Sequence, residues 1–129
     1  GLAALEALLR GGIDQGRATG GEAAELAEAL DAALTRLVAV TRAIHSADVS
    51  PAVRLANASL YLEAAGHIVV AWIWLEQFVA TGSRDDDFHR GKRQAARYFF
   101  RYELPRTGPQ LDLLEKLDTT TYDAERGWF

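Results

Sequence analysis

Leu26, Leu30, Ala33, Leu37, Val40 and Ile44 follow one another at intervals of 4, 3, 4, 3 and 4 residues. That spacing lays an apolar seam along one side of an α-helix, and a seam of this length must be covered by other helices. It predicts a helix from Glu22 to Ser46. No stretch of meaningful length shows the two-residue alternation of a half-buried strand. Composition points the same way, since 23 of the 129 residues are Ala, the strongest helix former, and only three are Pro. A chain of this size suits one domain.

The other helices are read from their punctuation. Leu2, Leu5, Leu8 and Leu9 predict a short first helix that looks truncated, and the five glycines between Gly11 and Gly21 predict a flexible loop after it. Ser50-Pro51 is a good helix start, because a serine oxygen caps free N–H groups and proline at the first position sacrifices no hydrogen bond. The third helix should run from there to Thr81, with Val53, Ala56, Leu60, Ala64, His67, Ala71, Trp74 and Phe78 inward and Gly82 as its cap. Its other flank carries Leu62, Val69, Val70, Ile73 and Leu75, so it needs cover on more than one face.

Ser83 is expected to cap a fourth helix with Asp85, Asp86 and Asp87 in its first turn, where the helix dipole favours them. Phe88, Ala95, Phe99 and Tyr102 form its apolar face and Pro105 its end. A turn at Thr107-Gly108-Pro109 then leads to a short helix from Gln110 to Leu117 and a tail closing on Gly127-Trp128-Phe129. The fold class is therefore all-α, an antiparallel bundle of about four helices with a short extra C-terminal helix. Its divisions are a truncated helix and Gly-rich loop over 1–21, a bundle core over 22–105, and a short helix and tail over 106–129.

Charge and composition exclude several classes of function. A net charge of −4 gives no global attraction to nucleic acid or to an anionic membrane, so neither is an expected partner. The strongest apolar run, Ile68 to Leu75, is too short to span a bilayer, which takes about 20 residues. With no Cys, disulfides, thiolate nucleophiles and Cys-ligated zinc are absent. No secretory signal opens the chain. With no Met anywhere, Gly1 reads as a processed end or, preferably, the edge of a piece of a larger protein.

Chemistry-bearing residues are sparse. Glu63 with His67, and Asp86 with His89, share helix faces, but a di-iron bundle site requires two Glu-x-x-His motifs and this chain has none. His67 is then expected to be a packed, hydrogen-bonded core residue beside Gly66, and Asp86 and His89 to be solvated helix-start groups. Glu22, Glu25, Glu28 and Asp31 are expected to be solvated on the outside of the second helix, and Glu76 and Glu103 to be partly buried in ion pairs. No Ser occupies a nucleophile elbow. The glycines match neither dinucleotide nor phosphate-loop patterns. No catalytic, cofactor-binding or metal residue is therefore assigned. The strongest charge feature is Arg90, Arg93, Arg97 and Arg101, stepping by 3, 4 and 4 down one helix face. Such a stripe suits phosphate or acidic side chains, and an ion-pair network or domain contact is the preferred reading.

Leu55-Ala56-Asn57-Ala58, Tyr61-Leu62, Gly66-His67 and Ala71-Trp72, followed by Lys92, Ala95-Ala96-Arg97-Tyr98-Phe99 and Leu104-Pro105, resemble the extra C-terminal helical domain of certain bacterial acyl-CoA dehydrogenases. The resemblance spans about Glu22 to Pro105 and rests on the order of the motifs more than on any one of them. It implies a cytoplasmic flavoenzyme that uses FAD to dehydrogenate a fatty acyl-CoA between its α and β carbons. In that reaction a glutamate takes the α-proton and the flavin takes hydride from the β carbon. Neither that glutamate nor the main flavin-binding segments have matching positions here. The FAD is thus expected in the full-length enzyme and no cofactor in this region.

The resemblance also implies a domain that packs on the rest of its own polypeptide and within a homo-oligomer, with acyl-CoA as substrate of the whole enzyme. Val70, Ile73, Trp128 and Phe129 are the expected contact residues, with Gly66 permitting close approach. The alternatives are a free-standing helical interaction module without activity and, less favoured, a metal or small-ligand enzyme.

Overall fold

A computed structural model describes residues 1–124 and 126–128. Its helices are α1 (Leu2–Thr19), α2 (Gly21–Ser46), α3 (Pro51–Arg54), α4 (Ala58–Thr81), α5 (Asp87–Tyr98), α6 (Thr107–Glu115) and α7 (Thr120–Asp123). Among the described residues there is no strand, so the all-α bundle expected from the seam is the fold.

Side-chain pairs between helices fix the topology. Arg10 with Asp31, and Arg17 with Glu28, close α1 and α2 as an antiparallel hairpin. Lys92 with Gln77, and His67 with Glu103, do the same for α4 and the segment after it. Thr41 meets Tyr61, which sets α4 antiparallel to α2. Gly12 faces Trp72 and Gly16 faces Leu75, so α1 and α4 run the same way. The arrangement is up-down-up-down, with α4 packed against α1, α2, α5 and α6.

The core is filled by Leu9 and Ile13 of α1, Leu30, Leu34, Leu37 and Val40 of α2, Ile68 and Leu75 of α4, and Leu111 of α6. Leu26 joins the buried set, while Ala33 and Ile44 of the seam pack against it half-buried.

The glycines before residue 20 are not a loop, and the first helix is not short. α1 runs through Gly11, Gly12 and Gly16 to Thr19. Two of these glycines serve close packing rather than flexibility. A Cβ on Gly12 would stand 2.6 Å from the Trp72 ring, and one on Gly16 would stand 2.9 Å from the Ala27 Cβ and 3.1 Å from the Ala23 carbonyl. Leu2, Leu5, Leu9, Gly12 and Gly16 step by 3, 4, 3 and 4, so the small residues continue the helix's inward stripe. Of the five glycines from 11 to 21, Gly20 and Gly21 alone have positive φ, 78° and 55°, and they make the tight turn into α2.

Ser50 does cap the next helix, accepting from the Val53 N–H at 3.3 Å. That helix stops after one turn, however, and α4 begins at Ala58. The residues between are held from outside: Asn57 donates to the Asp118 carbonyl at 2.7 Å and accepts from the Thr121 hydroxyl. The inward face of α4 is Ala64, Ile68, Ala71, Leu75 and Phe78, rotated from the stripe through Val53, Leu60, His67 and Trp74, which are half-buried. On a helix apolar all round, periodicity alone does not choose the face.

Asp86 rather than Ser83 caps α5, accepting from the His89 N–H at 2.9 Å. Phe88 and Tyr102, expected inward, are largely exposed, and Ala96 and Phe100 take the buried places. Pro105 does not end the segment. A π-helical turn over Phe99–Glu103 and a 3-10 turn over Leu104–Arg106 carry the chain into α6, and Thr107-Gly108-Pro109 is its first turn instead of a loop. Proline in the first positions of a helical turn costs no hydrogen bond, and the π turn absorbs the change of register. α6 then docks on α2 and α4, so the core extends from 1–21 through 106–115 beyond the 22–105 division.

The apolar stretch that includes Ile68–Leu75 belongs to a longer segment, Pro51–Thr81, which by length and composition alone is apolar enough to cross a membrane. In the fold one side of it packs against α1, α2, α5 and α6, and 22% of its most apolar stretch is buried.

Candidate functional site

α4 presents the most conspicuous unpaired surface. Leu62, Gly66, Val70 and Ile73 step by 4, 4 and 3 and therefore share one face. Leu62 is 69% exposed, Val70 38% and Ile73 45%, and a Cβ on Gly66 would meet nothing within 4 Å. Among the described residues, no contact uses the small size of Gly66. Trp128, in a 3-10 turn over Arg126–Trp128, is also exposed, and Phe129 lies outside the described residues. Two further aromatic rings, Tyr98 and Tyr102, stack on each other at 4.9 Å with most of their surface open.

The arginine stripe lies along α5 and the π turn. Arg97 makes a two-pronged pair with Glu22, at 2.6 Å and 2.8 Å, and covers the Phe78 ring. The guanidinium holds the Glu22 carboxyl below the usual carboxylate range despite partial burial. Arg90 binds Asp85 in the same forked manner, and Arg93 reaches Asp85 at 3.5 Å. Arg101 is exposed and in no ion pair among the described residues. Three of the four are thus occupied by carboxylates: Arg97 ties α5 to the start of α2, while Arg90 and Arg93 hold Asp85 in the turn before α5.

The acids of α2 are not uniformly solvated. Glu28 and Asp31 bind Arg17, and Asp31 also binds Arg10. Burial pushes the Asp31 carboxyl up, but hydrogen bonds from Arg17, Arg10 and Thr35 outweigh it and leave it lowered. These bonds bridge to α1, whose helical continuation the glycines concealed in the sequence. Glu25 is exposed.

No group of three or more metal-ligating side chains occurs among the described residues. His67 donates through Nδ1 to the Glu63 backbone carbonyl, 3.1 Å, rather than to its carboxylate. Its other nitrogen faces Glu103 at 3.3 Å, and its ring lies 5.9 Å from Phe99. Glu103 is half-buried between His67 and Arg106, whereas Glu76 is exposed. His89 contacts the Asp86 carboxylate at 2.6 Å within the cap of α5.

One cavity, of about 290 Å³, opens where the C-terminal end of α2 meets the α3–α4 corner. Its apolar walls are Ile44, Leu55, Leu62 and Leu114, and the Thr41 and Tyr61 hydroxyls touch at 2.8 Å beside them. Nothing in the sequence announced it, because it exists only through the break after Arg54. The cavity, at about 290 Å³, is at the small end of ligand sites. A flavin dinucleotide does not fit it.

Comparison with curated proteins and with solved structures gave no significant match. The family model described as acetyl-CoA dehydrogenase C-terminal like matches residues 3–125, nearly the whole chain and more than the quoted motifs span. The match includes α1, whose glycines pack the bundle, and α6, which completes its core. The chain therefore belongs to the acetyl-CoA dehydrogenase C-terminal-like family.

Proposed function

We propose that this bundle is the non-catalytic C-terminal helical domain of an FAD-dependent acyl-CoA dehydrogenase, and that the exposed face of α4 packs against the remainder of the same enzyme. The observation that carries the packing role is the Gly66-Val70-Ile73 stripe. It is an apolar face on the helix that contacts α1, α2, α5 and α6 on its other side, with open space at Gly66. Contiguous apolar surface of this kind marks an interaction site. Family membership supports the connection to acyl-CoA dehydrogenation, with FAD and the base supplied by other parts of the polypeptide.

The test is Val70→Glu with Ile73→Glu in the full chain. Each charge would be buried unpaired in the contact, so the double variant should lose thermal stability and flavin while the bundle stays helical. Unchanged stability and flavin content would sink the packing role. A native polypeptide near 14.1 kDa would instead favour a free-standing interaction module.

A further inference from the structure

We infer that the cavity at the α2 and α3–α4 corner is a binding site for a single aliphatic chain ending in an anionic oxygen group, of the carboxylate type. The inference does not depend on the function proposed above. Its first support is shape and lining. The cavity is enclosed on the inner side by Ile44 and Leu114, and its mouth carries Leu55 and Leu62, which are 65% and 69% exposed. Apolar walls continued by an apolar lip suit a hydrocarbon chain.

The hydroxyl pair fixes which end goes in. Thr41 donates its only proton to the Leu37 carbonyl at 2.7 Å, so Tyr61 must donate to Thr41. The inner polar group is thereby left as an acceptor alone, which repels an anion. The anionic end belongs at the rim.

The rim carries guanidinium groups, which are cationic at any physiological pH. Arg54 and His45 line the cavity, and Arg42 stands with His45 in a shallower depression that adjoins it through Thr41. None of the three is in an ion pair among the described residues. Arg54 is anchored through a 2.8 Å bond to the Ala47 carbonyl. Asp118, whose carbonyl holds Asn57 at the cavity edge, directs its carboxylate to Thr120. Unpaired guanidinium groups beside an apolar hollow are what an anionic amphiphile requires.

Octanoate, octanol and octyltrimethylammonium, titrated into the full chain with labelled Ile, Leu and Val methyls, separate the contributions. Octanoate should shift the Ile44, Leu55, Leu62 and Leu114 methyls and bind at least fivefold more tightly than octyltrimethylammonium, with octanol between. Arg42→Gln with His45→Gln, both on exposed positions, should weaken the preference for the anion, and adding Arg54→Gln should erase it, while the octanol shifts stay in place. Ala58→Trp should fill the cavity and remove the shifts at all four residues. The inference is overturned if those methyls do not move, if the three probes bind alike, or if octanoate shifts Val70 and Ile73 as strongly as the cavity residues.

Discussion

Gly16 has its α-carbon so close to Ala27 that an added Cβ would stand 2.9 Å from the Ala27 Cβ, with the Ala23 backbone at 3.1 Å behind it. Neither neighbour is the end of a flexible chain, so a methyl group there forces α1 away from α2. Gly11, five residues earlier in the same helix, has nothing within 4 Å of that position. Gly11→Ala should therefore raise stability by about 0.5–1 kcal/mol through helix propensity and a less mobile unfolded chain. Gly16→Ala should lower it by about 1–3 kcal/mol, the ordinary cost of overpacking. Denaturation midpoints of the two variants should move in opposite directions.

Ile68 and Ile73 sit on the same helix but on different faces, one fully buried and the other 45% exposed. Ile68→Ala should cost about 2–5 kcal/mol in the isolated bundle, while Ile73→Ala should remain within about 0.5 kcal/mol. Chemical denaturation of the isolated chain reads both. A large loss at Ile73 in isolation would show that its contacts lie inside the bundle.

The Glu22–Arg97 pair joins residues 75 positions apart and is only partly open to solvent. A double-mutant cycle with Glu22→Gln and Arg97→Gln should give a coupling of about 0.5–1 kcal/mol, reduced by salt. Both Glu22 and Asp31 have folded values held below their ordinary 4.5 and 3.8. In each case the charged form is favoured by folding. Their contribution is complete above the ordinary values and disappears as pH falls through the lowered folded ones. Stability measured from pH 6 downward should begin to fall near 4.5, and Glu22→Gln should flatten the start of that decline.

Thr41→Val removes the acceptor that Tyr61 uses and keeps the shape of the side chain. It should cost about 1 kcal/mol, and Tyr61→Phe in the same background should recover part of that loss, because no hydroxyl is then left without its partner. Thermal midpoints of the two single variants and the double variant decide it.

The helical class and the span of α2 were legible because Leu26 to Ile44 repeat without interruption. The Ser50 cap was legible because it depends on neighbours in sequence. α1 was misread where glycine, ordinarily a helix breaker, was selected for closeness to Trp72 and Ala27, a reason found only across helices. The same limit hid the pairing of Glu22 with Arg97 and of Asp31 with Arg10. The face of α4 escaped because apolar residues surround it, and the passage through Pro105 because a π turn has no local signature. The cavity depends on Asn57 being held by the tail from Asp118 to Thr121, a contact no spacing rule anticipates.

The contact of α4 with α1, α2, α5 and α6 has a topological consequence. Removing any flanking segment strips a wall from the same central rod, so no pair of helices inherits a finished interior. Insertions and evolutionary drift should accordingly be tolerated at the corners, around Asp48 and Arg84, while the rod itself sets the limit on how far the architecture can be trimmed.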